Sequence, residues 1–115
     1  METFKLEGTF NALDYNISHK VLLFRNFDDS EKGNIDLIFE LVFYLQIPTR
    51  ISDFILYEAD EITKKTLQEE AFYGAPLQDP QTYFVIESGE RKYYIGCWRF
   101  IIKKNRLLSL ESSIK

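Results

Sequence analysis

The chain has 115 residues, 45% of them hydrophobic, with ten Phe, seven Tyr and one Trp. That length suits one domain, residues 1–115, with a single core, and the aromatic content excludes a disordered chain. The net charge of −4 conceals a split: residues 1–90 carry 7 Lys/Arg against 17 Asp/Glu, and residues 91–115 carry 7 against 1, which gives the chain two fields able to steer partners of opposite sign to different faces.

Phe4 and Leu6 alternate with Lys5 and Glu7 and predict a short first strand ending before Gly8. Thr9 to Ile17 and Lys20 to Phe27 read as the arms of a hairpin joined at Ser18-His19, and residues 28–34 as a polar loop. The mostly apolar run from Ile35 to Ile47 fits either a strand or a buried helix. Its β-branched and aromatic content favours a strand bent near Glu40, ended by Pro48 and followed by another strand from Ile51 to Tyr57. A helix is expected from Glu61 to Phe72, capped by Asp60, with Thr63, Leu67 and Ala71 on its packing stripe and Gly74 and Pro76 ending it; residues 73–81 read as a loop.

Thr82 to Asn105 carries the clearest pattern. Gly89 suits the first central position of a type II′ turn, and the register this implies sets Glu87 opposite Lys92, Ile86 opposite Tyr93 and Val85 opposite Tyr94. Beyond the turn, alternation assigns Tyr94, Trp98, Phe100 and Ile102 to a core face and Tyr93, Cys97, Arg99 and Lys103 to a mixed one. The expected fold class is α+β, mainly antiparallel sheet with one packed helix.

Chemical signatures are sparse. A single cysteine excludes an intrachain disulfide and a cysteine zinc cluster, and fits a reducing compartment. The N-terminus lacks a secretory signal, and no apolar stretch approaches the roughly 18 residues of a spanning helix. The expectation is a cytoplasmic protein with no membrane partner, and the sequon at Asn16-Ile17-Ser18 is read as chance. Residues 28–35 imitate an EF-hand opening through Asp28, Ser30, Gly33 and Ile35. Lys32 stands where an oxygen ligand belongs and Phe39 where the bidentate glutamate should sit, so an exposed loop is the better reading. His19 and Cys97 would form a nucleophilic pair only if the fold joined them, and a free cysteine more often behaves as a small buried hydrophobe. Asp14, Asp36, Glu40, Asp53 and Glu58 fall in or beside strands, where solvated outer faces are favoured over an acid/base pair. The five glycines form no phosphate-binding loop, and no cofactor is expected.

Arg91, Lys92, Arg99, Lys103, Lys104 and Arg106 interleave with aromatic residues, a composition that suits single-stranded nucleic acid. With Tyr94, Trp98 and Phe100 assigned to the core and an acidic remainder repelling phosphate, nucleic acid is the less favoured partner. Pairing of these cations with acids on neighbouring strands is preferred.

Thr9-Phe10-Asn11-Ala12-Leu13-Asp14-Tyr15, Lys20-Val21-Leu22-Leu23-Phe24, the run from Asp36 to Leu45 and Arg91-Lys92-Tyr93-Tyr94-Ile95 together resemble small bacterial immunity proteins of polymorphic toxin systems. The resemblance lies in hydrophobic spacing and aromatics over about half the chain. It implies a β-rich fold and a non-catalytic role, binding and blocking a cognate toxin inside the producing cell, and it supplies no site residues. The acidic body would meet a basic toxin through Asp28, Asp29 and Glu31, or through the helix surface at Asp60, Glu61, Glu69 and Glu70. The alternative is a small-molecule-binding or enzymatic β-domain with an aromatic pocket.

Overall fold

The computed structural model describes residues 2–26, 33–71, 82–107 and 111–114. The chain forms β1 (Thr3–Asn16), β2 (Val21–Asn26), β3 (Asn34–Glu40), β4 (Tyr44–Gln46), β5 (Arg50–Glu58), α1 (Glu61–Ala71), β6 (Thr82–Ser88), β7 (Arg91–Cys97) and β8 (Arg99–Asn105). Every strand pairing is antiparallel. With one short helix among the described residues, the chain is mainly β rather than a balanced α+β mixture. The loop expected at residues 73–81 lies outside the described residues.

Local turn chemistry sets the β6–β7 hairpin. Glu87 faces Lys92, Ile86 faces Tyr93 and Val85 faces Tyr94, as the sequence predicts. Gly89 takes φ +62°, the sign that the first central residue of a type II′ turn needs and that side chains resist.

β1 does not stop before Gly8 but runs through it. Gly8 has φ +93° and donates its N–H to Asp53 Oδ1 at 2.7 Å, while Asp53 itself has φ +46°. A Cβ at Gly8 would meet the Asn26 side-chain amide, which donates to Glu7 O, so a side chain there would displace that amide, and the positive φ by itself favours glycine. Register slips between Leu6 and Thr9 against β5 and between Ala12 and Asp14 against β2 mark bulges, which bend a long strand and increase its twist.

That curvature closes the sheet. Its strand order is β4-β7-β6-β5-β1-β2-β3-β8, and the two ends belong to the same two chain segments, since β3 leads into β4 and β7 into β8. Across the breaks Trp98 N–H donates to Glu40 O at 2.9 Å and Phe43 N–H to Gly96 O at 2.9 Å, so the β3–β8 and β4–β7 ladders form one seam and the sheet becomes a barrel. The run expected as one bent strand from Ile35 to Ile47 is thus two strands with different partners.

The barrel interior holds Phe10, Phe24, Phe39, Phe54, Leu56, Ile86 and Ile95, all buried. From β8, Phe100 packs edge-on against Phe4 at 5.1 Å and Phe84 at 5.0 Å, on strands with which β8 shares no ladder. Each of the fully buried rings, Phe10, Phe24, Phe39 and Phe54, contributes about 1.5–3 kcal/mol, and the partly buried Phe4 and Phe100 contribute less. Outside, α1 lays Leu67 on Tyr83, Val85 and Ala59, with Tyr94 beside them. Asp60 caps the helix, its Oδ1 accepting Thr63 N–H at 2.7 Å.

One face assignment is corrected. The alternation that placed Tyr94, Trp98, Phe100 and Ile102 in the core breaks at Trp98: Ile95 and Cys97 point inward before it and Phe100 after it. Tyr94 lies on the outer wall with Tyr83 and Val85, Trp98 is 41% exposed, and Ile102, paired with Leu37, is 37% exposed rather than buried.

Candidate functional site

The seam exposes apolar side chains that the barrel does not use. Glu40 pairs with Arg99 and Tyr44 with Gly96, so Leu41, Val42 and Phe43 span the same step as Cys97 and Trp98. One extra residue must be absorbed. Leu41 absorbs it at φ +53°, a conformation costing a leucine roughly 1–2 kcal/mol. Val42 turns into the core and donates its N–H to Lys20 O at 2.8 Å, tying the β1–β2 turn to the seam. Leu41 is left 54% exposed beside Trp98, and the two line a recess of about 300 Å³ with Asn16, His19, Val21, Glu40 and Ile114. Ile17, in the same turn as His19, is 81% exposed.

A cation lies over the indole. The Arg99 guanidinium sits 4.6 Å from the Trp98 ring centroid and is ion-paired with Glu40. A cation held over an exposed ring is worth about 0.5–1 kcal/mol. Tryptophan and arginine are the residues in which protein-binding hot spots are enriched, and Leu41 adds apolar surface beside them.

At the other end of the same strands the chemistry is inverted. Arg25 and Asp36 are both 0% exposed, which corrects the expectation of a solvated outer-face carboxylate for Asp36. Arg25 Nε donates to Asp36 Oδ1 at 2.6 Å and Nη2 to Oδ2 at 3.0 Å, a bidentate pair. Asn105 Nδ2 and Ser113 Oγ also donate to Asp36 Oδ2, at 2.6 and 2.7 Å, and Arg25 Nη1 donates to Glu111 O at 2.7 Å. Burial by itself raises the Asp36 carboxyl; the bonds from Arg25, Ser113 and Asn105 and the Arg25 charge outweigh it and hold Asp36 below the ordinary carboxylate range. The network clamps the C-terminal segment onto the barrel wall.

The sequence-predicted acidic surface is divided. Asp28, Asp29, Glu31 and the side chain of Glu70 lie outside the described residues. Glu61 and Glu69 are exposed on α1. Asp60 is exposed but serves as the helix cap, and the Thr63 hydrogen bonds hold its carboxyl below the usual range. Among the other carboxylates, Glu40 belongs to the seam, and Asp53 hydrogen-bonds the Gly8 bulge.

His19 occupies the exposed β1–β2 turn, whereas Cys97 is buried in the barrel and donates its thiol to Arg99 O at 3.6 Å. Burial, and then the Glu40 charge, pushes the Cys97 thiol up to about 12. A thiol held protonated at neutral pH is a poor nucleophile. Among the described residues no group of three or more His, Cys, Asp or Glu is placed to hold a metal ion, and no helix is long and apolar enough to cross a membrane.

Sequence reasoning missed Trp98, Leu41, Arg25 and Asp36 as a set. The sequence hides the seam, because apolar residues occupy both the odd positions (Tyr93, Ile95, Cys97, Ile101) and the even ones (Tyr94, Trp98, Phe100, Ile102), so alternation alone does not show where the inner face changes phase. Comparison with known proteins finds no matching family model, no matching curated protein and no matching solved structure.

Proposed function

We propose that this protein is a non-catalytic protein-binding module of one domain whose partner docks on the seam around Trp98 and Leu41. The observation that carries the reading is an exposed leucine in a left-handed conformation beside an exposed tryptophan that Arg99 overlies. Leaving about half of each of two large apolar side chains in water forgoes roughly 1 kcal/mol each, and the backbone at Leu41 adds a further cost. A partner that covers them recovers the apolar contribution.

Toxin neutralisation in the cytoplasm is the role that the resemblance to immunity proteins implies for such a module. A basic toxin would be drawn by the acidic body, with Glu61 and Glu69 acting on encounter rate rather than on the buried contact. Nucleic acid is not favoured: Glu87 pairs with Lys92 and Glu40 with Arg99, which engages two of the cations in the basic segment.

The test is capture of the partner from the native host, followed by binding kinetics of the purified pair. Trp98→Ala should weaken affinity about 30-fold or more, mostly through faster dissociation. The double variant Glu61→Lys and Glu69→Lys should slow association, with a difference that shrinks as salt rises. Equal affinity of Trp98→Ala and wild type, or no protein retained by wild type, would overturn the proposal.

A further inference from the structure

A second recess lies at another part of the barrel and has a different chemistry. Phe4, Phe84, Phe100 and Tyr57 line a space of about 300 Å³ together with Glu2 and Glu58. Phe100 stands nearly perpendicular to both other phenyl rings, at 84° to Phe4 and 88° to Phe84, so the rings make a corner instead of a flat wall. Both carboxylates are exposed, and among the described residues neither is ion-paired.

Aromatic walls beside two exposed carboxylates that make no ion pair among the described residues favour a narrow ligand class. An anion is repelled by Glu2 and Glu58. A neutral apolar molecule fills the corner but leaves the carboxylates without a counter-ion. A hard inorganic cation satisfies the carboxylates but takes little from the rings, because it gives up its water reluctantly. A methylated ammonium group suits both, since its charge is spread over apolar methyl groups and aromatic rings attract such cations. The volume is at the lower end for ligand sites and limits the guest to a small head group. Lys92 borders the adjoining recess beside Tyr57 and Glu58 and is ion-paired with Glu87 at 3.5 Å.

We infer that the Phe4, Tyr57, Phe84 and Phe100 recess is a binding site for a small methylated ammonium cation, with Glu2 and Glu58 as its counter-charges. The site is separate from the protein-binding seam and shares no lining residue with it. The ammonium can belong to a free small molecule or to a methylated lysine side chain.

Isothermal titration of the full chain tests this with choline, its neutral carbon isostere 3,3-dimethylbutan-1-ol, and a short peptide carrying trimethyl-lysine. Choline or the peptide should bind at least about tenfold more tightly than the isostere. A peptide more than about tenfold tighter than choline would assign the source to protein, and the reverse order to a free metabolite. Glu2→Gln with Glu58→Gln, both at exposed positions, should cost about tenfold in affinity for the cation and leave the isostere unchanged, while Phe100→Leu should weaken both. Equal binding of choline and the isostere, or no cation binding at 10 mM, a ceiling on the order of the weakest specific affinities, would overturn the inference. Trp98→Ala should leave cation binding unchanged, so failure here is distinguishable from failure of the seam proposal.

Discussion

The two ends of the β3–β8 pair break the usual burial rule in opposite directions. Near its start β3 buries a charged carboxylate, Asp36, against Arg25; just past its end the chain exposes Leu41 beside Trp98. Buried charge and exposed apolar surface are the two departures from ordinary partition that carry information. Their causes differ. At Asp36 the charge is answered inside the molecule by Arg25, Asn105 and Ser113. At Leu41 nothing among the described residues answers the apolar surface, which is why that end is read as a binding surface.

The largest test of this contrast is at the buried end. Asp36→Asn leaves Arg25 buried without its counter-charge and should cost about 3–5 kcal/mol in denaturant unfolding. The paired change Arg25→Met with Asp36→Leu should cost less than the single one, because it removes both charges together. A loss under 1 kcal/mol for Asp36→Asn, on the order expected of a surface change, would show that the pair is not buried as described.

The same pair gives stability a pH dependence with a definite sign. The folded Asp36 carboxyl lies below its ordinary value of 3.8. The unfolded chain therefore takes up a proton first as pH falls. The contribution is whole above the unfolded value and is lost as pH drops through the folded one. Asp36→Asn should flatten that part of the acid unfolding curve, and an unchanged curve would place the depression elsewhere.

Effects on stability at the seam are smaller. Leu41→Gly relieves the left-handed backbone, worth roughly 1–2 kcal/mol, returns about 0.5–1 kcal/mol through the freer unfolded chain, and forfeits roughly 1 kcal/mol from the buried half of the side chain. A net change of less than about 1 kcal/mol by thermal unfolding is expected, against several for a fully buried leucine. A loss above about 1 kcal/mol would mean that Leu41 packs within the fold and is not held for a partner.

The smallest expected effect is the absence of a reaction. Cys97 neighbours Trp98 in sequence, yet its thiol is buried and pushed up to about 12 from 9.0. At pH about 8 a thiol reagent should label the folded protein no faster than the barrel opens. Labelling at the rate of an unfolded thiol would move Cys97 from the interior to the exposed side of the seam. Because the folded value is raised, the associated stability is whole below pH 9.0 and declines as pH rises from there toward the folded value near 12.

What could be read in the sequence was local. The Gly89 turn, the Glu87–Lys92 register and the Asp60 cap each depend on residues a few positions apart, whose geometry follows from turn and helix-end hydrogen bonding. A mainly antiparallel sheet with one packed helix followed from the strand-forming residues and from the single capped segment between Asp60 and Gly74. Tertiary structure decided the rest. Asp36 meets Ser113 across 77 positions, and Trp98 loses its core place only because closing the barrel forces a bulge opposite Leu41. Burial of a charge and exposure of an indole are properties of distant partners and ladder register, and a one-residue slip in register exchanges the inner and outer faces of everything that follows.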